Sequence, residues 1–314
     1  MNRKTNQGAA LLAAMLTVAL VATFAASALW LQWRSTEVES AERARVQAGW
    51  ILTGALDWER LILREDARSG VADYLSEPWA VPLQESRLSS FLAADKSTAA
   101  GDSANDQLDV FLSGQIVDMQ SRLNVFNLIN AGVVSVPDLQ AFARLFDLLG
   151  LPQAELNKMA ENLRFASDTS ASNLSGGSAP LMPQRVEQLA WLGLSATTIA
   201  RIAPYVSLLP TRTPVNLNTA APEVIFASVP GLQMAQARAL IAARDNSYFR
   251  SLDDAGKILG TSANLINGSG YSVATRFFEV RGRLRMDRTV IEERSLLQRD
   301  GLDVKTLWRV RAPI

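Results

Sequence analysis

No residue between Lys4 and Arg34 carries a charge. A helix from Ala9 to Trp33 would span roughly 37 Å, enough to cross a hydrocarbon core of about 30 Å. The apolar run is too long, and too full of small residues along its whole length, for a secretory signal with a discrete cleavage site. It predicts a spanning helix. Arg3 and Lys4 precede the span, whereas Arg34 beyond it is followed by Glu37 and Glu39, so the positive-inside bias predicts a cytoplasmic N-terminus and some 280 residues on the outer side.

Composition narrows what those residues can do. Lysine plus arginine and aspartate plus glutamate balance at 31 each, so no overall field draws nucleic acid or an anionic membrane. At 48% hydrophobic residues the chain has ample material for folded cores. Cysteine and histidine are both absent. Disulfides, thiol nucleophiles, histidine-dependent triads and the usual zinc ligand sets are thereby excluded. No phosphate-binding glycine loop occurs, and no carboxylate pair stands out as a glycosidase site. A non-enzymatic role is expected.

The helix is expected to continue past the membrane. Residues 34 to 68 lack proline, and Ala41, Ala44, Ala48, Ile51, Ala55, Trp58 and Ile62 recur at steps of three and four, one apolar stripe suited to a partner helix. Charges such as Glu37, Arg43, Glu59 and Arg64 are expected to fall mostly beside it, and Gly70 is a plausible stop. Beyond lie EPWAVPL and the polar stretch DKSTAAGDSANDQ (95 to 107), which read as turns and a mobile loop. Two acidic groups offer hard oxygens to a cation, Asp66 with Asp73 and Glu77, and Asp102 with Asp106 and Asp109. Neither has the spacing of a calcium loop, so solvated surface charge is the plainer reading.

The segment DMQSRLNVFNLIN (118 to 130) alternates like a short strand entering a turn, and PVNLNTAAPEV (214 to 224) partly echoes it. Three later stretches each place a Gly-Leu pair between helical patterns, with apolar residues six and nine positions after the glycine. These are Gly150 with Leu156 and Met159, Gly193 with Ile199 and Ile202, and Gly231 with Ala237 and Leu240. Each predicts a helix closed by a left-handed glycine whose leucine packs back, then a second helix. The last resembles a helix-hairpin-helix motif, with Asn218 or Thr219 as N-cap and Pro222 in the first turn. In DNA-binding versions the hairpin amides and a nearby cation hold a phosphate. Here Gln233 replaces the second hairpin glycine and the next cation is Arg238, so a structural module is favoured and no nucleic acid is expected. The Ser/Gly tract 167 to 180 reads as a flexible joint. From about Tyr271 the period becomes two, with turns at Asp287-Arg288 and Asp300-Gly301: an antiparallel meander whose arginines alternate with apolar residues. Those arginines suit either a solvated face or a partner-binding strip.

The order QGAALLAAML resembles the processing site of type IV prepilins and pseudopilins, which implies cleavage between Gly8 and Ala9 by a prepilin peptidase and methylation of the new N-terminus. Major pilins carry a glutamate at the fifth mature position, where this chain has Ala13, an absence suited to a subunit with no neighbour ahead of it at a filament tip. With the DMQSRLNVFNL segment and the helix-hairpin-helix stretch from Val215 to Asp245, the whole chain resembles the type II secretion system protein K family of large minor pseudopilins. The resemblance implies an α+β fold: a pilin-like long helix on a small antiparallel sheet, with a large all-α, helix-hairpin-helix or SAM-like, inserted domain. The corresponding division is leader 1–8, transmembrane helix 9–33, helix continuation 34–68, head 69–122 and 271–314, and insert 123–270. It also implies an inner-membrane subunit with a periplasmic head that starts and caps the pseudopilus tip with I- and J-type minor pseudopilins. No cofactor is required; calcium is associated with the family, without ligands that map onto this chain. The alternatives are a minor pilin of a type IV pilus and a membrane-anchored DNA receptor using the helix-hairpin-helix.

Overall fold

The structure, a computed structural model, describes residues 7–70, 72–89, 109–168, 179–266, 270–286 and 289–313. The stretch 95 to 107, most of the Ser/Gly tract, and Asp102 and Asp106 lie outside these residues. The chain divides into two units, one ending at Gly54 and one running from Ala55 to Ile314.

Helix α1 covers Gln7–Ser69 without interruption, and the described part of the first unit is helix alone. Its polar side chains do not disturb it. Thr17, Thr23 and Ser27 donate to the carbonyls of Ala14, Leu20 and Thr23, each at 2.8 Å, so no hydroxyl among them needs water. Beyond the apolar run, Glu39 with Arg43 (2.6 Å) and Glu42 with Arg45 (3.1 Å) pair along the helix surface.

In the second unit the end of α1 lies on an antiparallel sheet of β1 (Leu83–Arg87), β2 (Val110–Asp118), β9 (Phe277–Met286), β10 (Thr289–Asp300) and β11 (Asp303–Pro313), in that spatial order. Leu56 and Leu63 pack with Trp79, Ile116, Phe278, Val280 and Leu297, and Trp79 meets Phe278 edge-on at 5.2 Å. Arg60 donates to the Val304 carbonyl from Nε (3.0 Å) and Nη2 (2.8 Å), and Arg64 to that of Leu302 (3.2 Å). Pairing aligns Leu83, Gly114, Gly282, Glu293 and Arg311 in one row across all five strands. The hairpin at Asp300 and Asp303 turns through Gly301 at φ +60°, as its Asp-Gly signal requires. Strands β1 and β2 fall in the segment 69–122 that the resemblance assigns to the head, although no pattern of their own marks them in the sequence.

Between β2 and β9 the chain builds a helical region around its own core, which includes Phe142, Phe146, Leu156, Met159, Leu192, Ile202 and Leu240. Its helices are α2 (Val136–Leu148), α3 (Gln153–Ser167), α4 (Ala196–Ile202), α5 (Pro222–Ser228), α6 (Met234–Asn246) and α7 (Leu252–Leu259). The three glycine turns form as expected: Gly150, Gly193 and Gly231 have φ of +61°, +95° and +78°, and Leu151, Leu194 and Leu232 after them are buried. The element before Gly193 is a 3-10 helix, Val186–Leu192, rather than an α-helix. The N-cap of α5 is Ala221, with Pro222 at the first position and no side-chain cap; Asn218 and Thr219 are engaged elsewhere.

The echo between the two asparagine-bearing segments has a structural basis. Strand β3 (Leu123–Asn124) pairs in parallel with β6 (Val206–Ser207), and β7 (Val215–Asn216) with β8 (Tyr271–Ser272), so each half of the helical region is closed where it begins. A hairpin of β4 (Ile129–Asn130) and β5 (Val133–Val134) follows the first.

Candidate functional site

The anchor comes first. Helix α1 is long and apolar enough to cross a membrane, and none of its most apolar window is buried. Ala9 and Ala13 sit on its exposed surface. The stripe expected to meet a partner is only partly free. Ala41 and Trp58 are exposed, Ala44, Ile51, Ala55 and Ile62 are half-buried, and Ala48 is buried at 1% exposure. The buried line of the helix runs through Leu52, Leu56, Glu59 and Leu63 instead. Three leucines on one line bury more apolar area than an alanine-rich stripe, and that difference sets the helix rotation.

Glu59 is thus on the inner face, not beside it. Its Oε1 lies 3.2 Å from where a Cβ on Gly114 would stand, and it faces Glu293. Burial, reinforced by the charge of Glu293, pushes its carboxyl up to about 8. Glu293 is in turn paired with Arg309 and Arg311.

Asp66, Asp73 and Glu77 do converge, with one oxygen from each within 4.8 Å of the others. The fold supplies its own cation there. Arg299 of β10 donates from Nη1 to Asp66 (2.7 Å) and from Nη2 to Asp73, and its guanidinium lies 4.8 Å from the Phe278 ring centroid. Glu77 Oε2 accepts from Tyr74 N (2.9 Å) and Trp79 Nε1 (2.7 Å). Burial raises Asp73 to about 6 against the pull of Arg299, and Glu77 to about 7. Asp73 and Glu77 are buried, at 1% and 7% exposure, so the expectation of solvated surface charge fails for them; their oxygens are engaged by a guanidinium, backbone amides and an indole, as in an internal ion-pair network. Asp109 pairs with Arg87 at 3.3 Å.

The sheet and the helical region are joined by polar side chains that sequence reasoning missed. Buried Asp118, at the end of β2, accepts from Gln120 N (2.7 Å), Asn216 Nδ2 (2.9 Å) and Thr219 Oγ1 (2.5 Å). Burial raises its carboxyl despite these bonds. Three asparagines act as side-chain copies of a backbone amide, each bonding both the N–H and the C=O of one distant residue. Asn124 holds Leu209 (3.1 and 3.3 Å), Asn127 holds Thr213 (3.1 and 2.8 Å) and Asn218 holds Phe249 (2.9 and 2.9 Å). The repeated asparagines in both segments were the available signal.

The hairpin before α6 offers little to a phosphate. Gln233 N is taken by Gln236 Oε1 at 2.9 Å. Arg244 donates to the carbonyls of Leu217 and Ala220 (both 2.7 Å), and Arg144 to that of Ala227, so both cations tie the module together from within. Arg238, the cation of the expected clamp, is exposed, as is Gln233.

A helix of membrane-crossing length, continuous with one that packs on an antiparallel sheet, and a helical region between the second and third strands of that sheet define a pilin-like α+β architecture with a candidate membrane anchor. Comparison with known proteins agrees. Family profiles described as type II secretion system (T2SS), protein K, match residues 121–211 and 215–274. The chain is similar to the type II secretion system protein K of Pseudomonas aeruginosa, 28% identical over 98% of this chain and 90% of that protein, and to that of Pectobacterium carotovorum subsp. carotovorum, 25% identical over 98% and 97%. A chain from the crystal structure of the GspK-GspI-GspJ complex of the enterotoxigenic Escherichia coli type 2 secretion system shares the fold, with a TM-score of 0.65 at 16% identity over 87% of this chain and 98% of that one. Over nearly its whole length the chain resembles the type II secretion system protein K family.

Proposed function

We propose that this protein is a minor pseudopilin that starts and caps the tip of a periplasmic pseudopilus. Helix α1 would hold it in the inner membrane with the N-terminus cytoplasmic and the Ala55–Ile314 unit in the periplasm. A prepilin peptidase would cut between Gly8 and Ala9. Its partners would be I- and J-type minor pseudopilins, as in the GspK-GspI-GspJ complex that its structural neighbour comes from. The role is structural and needs no catalytic group.

The observation that supports this reading is the continuous helix Gln7–Ser69, whose first half is an apolar run with no charge, long enough to cross a membrane, and whose end packs Leu56 and Leu63 on the sheet. A pilin-type filament requires this element, because the apolar half bundles and the amphipathic half carries the head. A DNA receptor is disfavoured, since Gln233, Arg144 and Arg244 are spent on internal contacts. The decisive experiment is intact mass and N-terminal sequencing of protein recovered from membranes with and without the prepilin peptidase. A peptidase-dependent start at Ala9 supports the reading; an intact Met1 in both strains overturns it.

A further inference from the structure

The face of the sheet turned away from α1 is charged over most of its area, through Arg281, Arg283, Arg285 and Glu292. It becomes apolar at one place. Met119, Leu208, Leu296, Trp308 and Val310 line a cleft of about 320 Å³ between this face and the chain around the 3-10 helix Val186–Leu192. Val310 is 40% exposed there. Apolar surface held open beside polar walls is the usual form of a binding pocket.

The charges around the cleft are unbalanced. Arg122, Arg185 and Arg294 line it with Glu187 and Glu279. Both oxygens of Glu279 are already used, Oε1 by Arg281 Nε (2.5 Å) and Oε2 by Arg294 Nη2 (2.8 Å). Burial raises the Glu279 carboxyl, but the Arg294 hydrogen bond and the charges of Arg281 and Arg294 outweigh it and the net shift is down. Arg122 forms no ion pair among the described residues, although the charges of Glu279 and Asp118 act on it from farther off; it is half-buried, and burial lowers its pKa. In a chain with 31 charges of each sign, this cleft is lined by three arginines and two glutamates, one of which, Glu279, is already paired.

The cleft also runs along an edge strand. Trp308 and Val310 belong to β11, the last strand of the sheet. Arg60 covers the Val304 carbonyl at its start, and no strand among the described residues pairs with its outer edge. Open main-chain groups beside a pocket suit an extended polypeptide, which can add as a strand and seat alternate side chains, whereas a lipid or fatty acid gains nothing from them.

We propose that this cleft and the adjoining edge of β11 bind an extended segment of a partner polypeptide in which a large apolar side chain fills the pocket and a neighbouring carboxylate pairs with Arg122.

The full chain in nanodiscs is titrated with a fluorescein-labelled peptide of alternating glutamate with leucine and phenylalanine, flanked by serines, and with two analogues. In one the glutamates are glutamines; in the other the apolar residues are serines. The parent peptide should bind about tenfold tighter than the glutamine analogue, as one charge-assisted contact warrants, and the serine analogue should not bind. Arg122→Gln should remove the preference for glutamate. Val310→Arg, at an exposed position and so compatible with folding, should abolish binding of all three. Equal affinity for parent and glutamine peptides in the wild type overturns the proposal. So does displacement of nothing but added dodecanoate, which would make the cleft an amphiphile site.

Discussion

Glu59 and Gly114 are in close contact: the carboxyl oxygen Oε1 on α1 lies 3.2 Å from the point where a Cβ on that glycine would be, and the Arg281 carbonyl of β9 is equally near it. Gly114 pairs with Gly282, so two strands lack side chains where the helix brings buried Glu59 to the sheet. Gly114→Val should push the helix from the sheet or force Glu59 off its rotamer, costing about 2 kcal/mol. Thermal unfolding of the full chain should show the loss, and Gly114→Val combined with Glu59→Ala should recover part of it. Additive losses in the double variant would refute the contact.

The same glutamate makes stability pH-dependent. Its folded pKa of about 8 lies above the ordinary carboxylate value, so the folded chain holds a proton that the unfolded chain releases. The stabilisation is complete below about pH 4.5 and is lost as the pH rises through about 8. Glu59→Gln should therefore raise the Tm at pH 8 by about 4 °C, corresponding to about 2 kcal/mol, and leave it nearly unchanged at pH 4.5. A rise of equal size at both pH values would show that its charge is not the cause.

Arg299 supplies the one cation between Asp66 and Asp73, whose side chains are 8% and 2% exposed. Arg299→Ala leaves these acids buried without their partner and should cost about 4 kcal/mol. The variant should be rescued by low pH, because protonated carboxyls need no counter-ion. Denaturant melts at pH 4.5 and 7.5 would test this; identical losses at both would indicate that packing on Phe278, not charge, is what Arg299 provides.

Asn218→Asp keeps the shape of the side chain but removes the donor to the Phe249 carbonyl and adds a buried charge. A loss of about 3 kcal/mol is expected, larger than for an exposed asparagine such as Asn246. Hydrogen exchange at the Phe249 amide, which donates to Asn218 Oδ1 at 2.9 Å, would report the opening directly.

For assembly, the burial of Ala48 restricts which position can be tested. An aspartate there would damage the protein itself, whereas Ala41 is exposed on the same stripe. Ala41→Asp should leave the Tm unchanged and abolish co-isolation of I- and J-type minor pseudopilins. Undiminished co-isolation would remove this stripe from the partner interface.

Local patterns were legible. The charge-free span, the three Gly-Leu turns and the period-two C-terminal strands each follow from residues a few positions apart, so composition and spacing alone specify them. The face that α1 buries was not legible, because an alanine stripe and a leucine line compete along one helix and only the sheet chooses between them. Asp66, Asp73 and Glu77 could be grouped by eye, but the cation among them comes from Arg299, more than 200 residues later along the chain. The cleft that brings Arg122 beside Trp308 exists only in the folded chain, where the chain around Val186–Leu192 meets the sheet. Short-range periodicity determines which elements form; their partners depend on the burial and pairing of charges distant in sequence, and that is settled only in the folded chain.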